Sequence, residues 1–158
     1  MRRVAPLLLA ASLAAPSLAV GPAAAQELSA ANPAGLADAL QDLGYRASLE
    51  TDSEGDPLIR SSMEGMNYRI VFYGCEEHRD CKYLQLSAGF DLDNGTTMDV
   101  INDWNRSKIA GSAYLDDEND PYLKYFLTTV GGLSQQTFED TIDWWRIAVS
   151  DFKDHIGF

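Results

Sequence analysis

The sequence predicts a two-layer α+β domain, an antiparallel sheet packed against helices in the order α-ββββ-α-ββ-α. Three observations carry that expectation. Apolar residues recur at spacings of three and four in three segments, and they alternate at a spacing of two in the intervening ones. The loops between successive strand segments are short, whereas a parallel pair needs a long crossover.

Asn32-Pro33 opens the first helix as an N-cap followed by a proline at the first helical position. Leu36, Leu40 and Leu43 form its stripe, and Gly44 closes it as a C′ glycine. Four strands are expected at 45–51, 57–63, 67–73 and 82–90. In the first, Tyr45, Ala47 and Leu49 alternate with Arg46, Ser48 and Glu50; in the third, Tyr68, Ile70 and Phe72 alternate with Arg69, Val71 and Tyr73. The fourth puts Leu84, Leu86, Ala88 and Phe90 on one side. A turn at Asp93-Asn94-Gly95 leads to Thr96 or Thr97, a suitable N-cap for a second helix striped by Met98, Ile101 and Trp104 and ending before Gly111. Asp99 in its first turn suits the helix dipole. Strands at 112–115 and 122–130 flank an acidic turn. Ser134 then caps a long last helix striped by Phe138, Ile142, Trp145, Val149, Phe152 and Ile156. That stripe lasts under three heptads, so packing on the sheet is favoured over a coiled-coil seam.

One stretch occurs twice in altered form. Asp52-Ser53-Glu54-Gly55-Asp56-Pro57 and Asp116-Asp117-Glu118-Asn119-Asp120-Pro121 share Asp, Glu, Asp and Pro. Gly55 aligns with Asn119, the two residue types that best tolerate a positive φ. Two tight hairpin turns of the same chemistry explain the echo without an ancestral repeat.

The N-terminus has the pattern of a secretory signal peptide over residues 1–25. Arg2 and Arg3 precede an uncharged apolar run at 4–20, and Ala23-Ala24-Ala25 places small residues before a cut between Ala25 and Gln26. The run contains Pro6 and Pro16 and is short for about 30 Å of hydrocarbon, which disfavours an anchor. The paired arginines lack the flanking residues of a twin-arginine signal, so general export is expected. The organisation read from this is a signal peptide at 1–25, a flexible leader at 26–31 and one domain at 32–158, periplasmic or secreted.

Beyond the signal, ten basic residues face 24 acidic ones, a net charge of −14. Such a chain is expected to repel nucleic acid and anionic lipid, and to permit a basic protein or peptide, a divalent cation or a second copy of itself as partner. No membrane span is expected in the mature chain, because no further apolar run reaches about 18 residues.

Cys75 and Cys81 lie at the end of one strand and the start of the next, and in an exported protein they read as a structural disulfide. A Cys-His-Cys metal site using His78 would lack a fourth ligand, and a redox pair is more typically spaced Cys-x-x-Cys. Asp116, Asp117, Glu118 and Asp120 form a candidate cation loop. They lack the twelve-residue EF-hand spacing, so a solvated turn is the simpler account. Only two histidines occur, His78 and His155, and no nucleophile, zincin or phosphate-loop motif is present. No catalytic residue and no cofactor is therefore expected. Trp104-Asn105-Arg106 and Trp144-Trp145 are candidates to line a groove, against the more usual reading of helical aromatics as core. Trp104 itself is expected to be a buried anchor whose indole N–H finds a backbone carbonyl, with Arg106 on the wetter side.

Tyr73-Gly74-Cys75, the stretch 84–90, Ile101-Asn102-Asp103-Trp104-Asn105-Arg106 and the stretch 113–121 together resemble the YbjN family of bacterial proteins, described as sensory transduction regulators. The resemblance spans residues 32–156 and is most specific from Ile101 to Pro121, with Trp104, Asn105, Asp116, Asp120 and Pro121 as its structural signature. It implies a fold similar to type III secretion chaperones, in the order α-β-β-β-α-β-β-α, one strand fewer than the alternation indicates. It implies no catalytic residues. The function expected is a non-enzymatic protein- or peptide-binding module, regulatory or chaperone-like. The alternatives are a small-ligand or divalent-cation sensor domain of the cell envelope and, less favoured, a hydrolase.

Overall fold

The computed structural model describes residues 27–158. The expected signal peptide at 1–25 and its cleavage point between Ala25 and Gln26 lie outside the described residues. The elements run α1 (Pro33–Asp42), β1 (Ala47–Thr51), β2 (Pro57–Met63), β3 (Met66–Tyr73), β4 (Tyr83–Gly89), α2 (Met98–Ser107), β5 (Ser112–Leu115), β6 (Pro121–Thr128) and α3 (Gln135–Ile156). The protein is α+β, with one six-stranded antiparallel sheet in the order β1-β2-β3-β4-β6-β5. The strand that the family resemblance does not supply is present as β4, inside the sheet between β3 and β6.

Local chemistry sets the element ends. The Asn32 side chain accepts from Gly35 N–H at 3.1 Å, and Ser134 Oγ accepts from Thr137 N–H at 3.0 Å, each satisfying a donor that the first turn leaves free. Thr97 occupies the N-cap of α2 without a side-chain bond. Gly44, at φ 87°, turns the chain so that Tyr45 N–H reaches back to Leu40 O at 3.0 Å. Tyr45 and Arg46 are thereby held in the helix exit, and β1 begins at Ala47 rather than at 45. At the other end, Thr129 donates from both N–H and hydroxyl to Lys82 O, one step beyond the pair of Tyr83 with Thr128 at which β6 stops.

The leader also departs from expectation. Leu28 and Leu133 exchange both backbone hydrogen bonds, at 2.9 and 2.8 Å, and Ala30 N–H donates to Thr129 Oγ1 at 2.9 Å. Leu28 and Ala30 are buried in the core. Two apolar side chains in a polar stretch have found a groove between the end of β6 and the start of α3, and residues 28–31 are part of the domain rather than a flexible leader.

The core lies between the sheet and the helices. Ile59, Tyr68, Ile70, Phe72, Leu84, Leu86 and Leu123 meet Leu36, Leu40, Ile101, Trp104, Phe138, Trp145 and Phe152. Trp104 packs edge-on against Phe152 (4.8 Å), which packs in turn on Phe90 (5.1 Å). All three helices contribute to this one cluster, so one face of the sheet is covered and the other is not. Since side chains alternate across a strand, the residues between the core positions project to the uncovered side.

Candidate functional site

The register lines up the uncovered face in rows across the strands. One row runs Ser48, Arg60, Arg69, Ser87, Lys124 and Ser112. The next holds Leu58, Val71, Gln85 and Phe126, and beyond it lie Tyr73, Tyr83 and Thr128. A cationic row thus borders an apolar one. Phe126 is 61% exposed and packs only on Tyr83 among described aromatic side chains, at 5.8 Å. An exposed Phe on a sheet face is the kind of surface that a partner covers.

On the other flank of the cationic row the face is built from a stack. Gly89 leaves room for the Tyr122 ring to lie directly on the backbone, since a Cβ at Gly89 would sit 2.7 Å from that ring. Tyr114 stacks on Tyr122 at 5.2 Å, and Lys124 Nζ sits 4.0 Å from the Tyr114 ring centroid. Burial and the neighbouring Tyr122 hydroxyl push the Tyr114 hydroxyl up, and the Arg69 guanidinium pulls it back, so these groups share one space. Between the stack and β2 lies an open trough of about 520 Å³, lined by Arg60, Asn67, Arg69, Ser87, Gly89 and Tyr122, with Asp91 and Asp120 at its end. Arg60 Nε donates to Glu50 Oε2 at 2.8 Å. No carboxylate lies within 4 Å of Arg69 or Lys124 among the described residues.

The residues singled out from the sequence are placed elsewhere. Cys75 and Cys81 are joined in a disulfide. Within its loop Glu76 and Arg79 exchange backbone hydrogen bonds around Glu77 and His78, both at positive φ (49° and 64°). Lys82 donates to Glu76 Oε1 at 2.9 Å and holds that carboxyl below its ordinary range. His78 reaches the β1–β2 turn. Its Nδ1 lies 2.9 Å from Asp56 Oδ1, and its ring lies where a Cβ at Gly55 would be, 3.1 Å away. The disulfide loop is thereby docked on the β1–β2 turn.

The two echoed turns share one geometry. Asp52 Oδ1 accepts from the N–H groups of Glu54, Gly55 and Asp56, and Asp116 Oδ1 accepts from those of Glu118 and Asp120. Asp120 Oδ1 accepts from Leu92 N–H at 3.0 Å, and Asn119 O from Thr96 N–H at 2.9 Å. Among the described residues no group of three or more His, Cys, Asp or Glu side chains is arranged to hold a metal. The Asp116 carboxylate instead closes its own turn, and the Asp120 carboxylate with the Asn119 carbonyl clamps that turn to the 90–96 loop.

Trp104 and Asn105 fasten α2 to β5. Trp104 is fully buried and donates from Nε1 to Gly111 O at 3.2 Å. The Asn105 amide accepts from Ala113 N–H at 2.8 Å and donates to Ala113 O at 3.0 Å, pairing with the edge strand as another strand would. Arg106 is exposed and meets Asp103 at 3.3 Å. Trp145 is buried, whereas Trp144 shares with Ile147 and the almost wholly exposed Ile109 a small apolar patch on the outside of α3.

The YbjN family, described as "Putative bacterial sensory transduction regulator", matches residues 32–158. The chain belongs to the YbjN family. No curated protein sequence matches the chain. The Trp104-Asn105 clamp and the Asp116–Pro121 turn therefore hold a YbjN domain together, while its uncovered sheet face is built from residues outside those motifs. In the sequence Arg69, Val71 and Tyr73 are only the alternate positions of a strand, and nothing local marks them as part of a face. The signal that could have found it is the pairing of Arg69 with Tyr73 at i+4 on β3 and of Lys124 with Phe126 at i+2 on β6.

Proposed function

We propose that this YbjN protein is an exported, non-enzymatic interaction module that binds a partner protein through the uncovered face of its sheet. One observation carries the reading: a row of cations beside the exposed Phe126 on a face that no helix covers. The family's regulatory description and the absence of a catalytic motif from the sequence support binding rather than turnover. The open trough has the volume of a small-molecule site, which supports the second reading, a ligand-sensing domain. The Phe126 row outside the trough favours the larger, protein partner.

The test is site-specific photo-crosslinking in the producing cell, with a benzophenone side chain at Phe126 or at Ile147 on the opposite layer. Adducts from position 126 and none from 147 are expected. The reverse pattern overturns the face assignment. Mass spectrometry of the same material tests export, with an N-terminus at Gln26 expected and retention of residues 4–20 refuting release.

A further inference from the structure

The net charge and the local charge of this protein point to opposite partners. A chain of −14 favours a basic partner at long range. The uncovered face carries the opposite sign. Ten cationic side chains lie among residues 27–158, and six of them meet a carboxylate within 4 Å. The four that do not are Arg46, Arg69, Lys124 and Lys153. Lys153 donates to Glu64 O beside α3. The other three belong to the uncovered face: Arg46 donates to Ser62 Oγ beside Arg60, Arg69 lines the trough, and Lys124 caps the tyrosine stack.

These charges are spread out rather than convergent. Arg69 on β3 and Lys124 on β6 share a row two strand steps apart, about 10 Å at the usual strand spacing. Arg46 extends the series toward β1. Arg60, between them, already has Glu50. A single phosphate or carboxylate balances only one of the unneutralised charges, whereas the face offers them in a row. Carboxylates three residues apart on a polyproline II chain, which repeats every three residues with a rise of about 3.1 Å each, lie on one side about 9 Å apart and match the spacing of Arg69 and Lys124 along the row. Tyr122 and Tyr114 on one flank and Phe126 on the other offer surfaces for the intervening side chains.

We propose that the uncovered face receives an extended acidic segment of a partner protein, laid across the strands with its carboxylates over Arg69 and Lys124. This rests on the reading of that face as the binding face and names the chemistry of what it binds. Each contact replaces a solvated cation by a charge-assisted pair, and the neighbouring aromatics lower the local dielectric around it. The surrounding acidic surface opposes approach, so the complex depends on short-range contacts and dissociates as added salt screens them.

The probe is a fluorescent dodecapeptide of four Glu-Tyr-Gly repeats, followed by anisotropy on the whole mature chain, with Gln-Tyr-Gly and Lys-Tyr-Gly repeats as controls. Binding of the Glu peptide is expected, weakened at least tenfold by Arg69→Glu and by Lys124→Glu, and unchanged by Lys153→Glu. Melting curves confirm that each variant is folded, and Arg69→Gln gives a milder loss should Arg69→Glu perturb the sheet. Equal binding of the Gln peptide, tighter binding of the Lys peptide, no binding of the Glu peptide at millimolar concentration, or indifference to both Arg69→Glu and Lys124→Glu overturns the proposal. Crosslinks from position 126 to a basic partner segment would sink the acidic chemistry while leaving the binding face intact. Crosslinks from position 147 alone would sink both.

Discussion

Replacing Trp104 by Ala tests whether the centre of the helix layer is packing or a binding surface. The indole is fully buried, lies edge-on to Phe152 at 4.8 Å and to His155 at 5.6 Å, and donates to Gly111 O at 3.2 Å. Removing a buried Trp side chain costs about 3–5 kcal/mol, combining lost transfer energy with the cavity left behind. Unfolding entropy is about 2 cal/mol/K per residue, so over the 132 described residues each kcal/mol moves Tm by roughly 3–4 °C. Trp104→Ala should therefore lower Tm by about 10–18 °C. Trp104→Phe keeps the aromatic contacts and loses the hydrogen bond, and should cost only about 1–2 kcal/mol. Thermal and urea denaturation followed by circular dichroism measure both. A Tm for Trp104→Ala within about 2 °C of the parent, with partner binding lost, would refute burial as the role of this residue and make it a contact surface instead.

Joint replacement Cys75→Ser and Cys81→Ser should lower stability by about 2.4 kcal/mol on loop-closure entropy, read by urea denaturation, with the circular dichroism spectrum unchanged; thiol labelling of the native parent should find no free thiol. Gly55→Ala should destabilise by more than about 1 kcal/mol, because φ there is +101° and the new Cβ meets the His78 ring, whereas Asn119→Gly in the matching turn should be close to neutral. Burial pushes the Tyr68 hydroxyl up to about 12, against a smaller pull from the nearby Ser61 hydroxyl, and neither oxygen nor Trp145 Nε1 finds a partner of hydrogen-bonding geometry. The unfolded chain therefore loses the Tyr68 proton first. Stability is fully present below pH 10 and falls by about 3 kcal/mol as pH rises through 12. Tyr68→Phe should flatten that fall and raise stability at neutral pH by about 1 kcal/mol, since it removes an unsatisfied buried hydroxyl. An unchanged alkaline limb in Tyr68→Phe would contradict this account.

The helices were legible because their stripes and caps are local. Ser134, with the stripe from Phe138 to Ile156, specifies α3 without reference to anything outside it. The meander β1 to β4 was legible because each loop is too short for any other pairing. The placement of β5 at the edge and of β6 beside β4 was not legible. β5 has four residues, and its position follows from non-local bonds, namely Asn105 to Ala113, Phe90 N–H to Pro121 O and Leu92 N–H to Asp120. The same limit hid the candidate site. Arg60, Arg69 and Lys124 are separated by up to 64 positions in sequence and meet only through register across β2, β3, β4 and β6.

The acidic composition obscured that site for a second reason, which lies in how the carboxylates are used. Asp52 and Asp116 spend one oxygen each on backbone N–H groups of their own turns, Asp56 meets His78, and Asp120 holds Leu92. Lys82, Lys108, Arg79, Arg106 and Arg146 take up further acids on the loops and helices. Each of these contacts fixes a carboxylate at a turn or on the helix layer, away from the middle of the sheet, where only Glu50 reaches a cation of the cationic row. A formal charge of −14 therefore does not describe the field at Arg69 and Lys124. At a Debye length of about 8 Å in physiological salt, what a bound segment meets is decided by groups within one or two strand spacings. On this face those groups are Arg69, Lys124 and the tyrosines, with Glu50 held by Arg60 and with Asp91 and Asp120 also lining the trough.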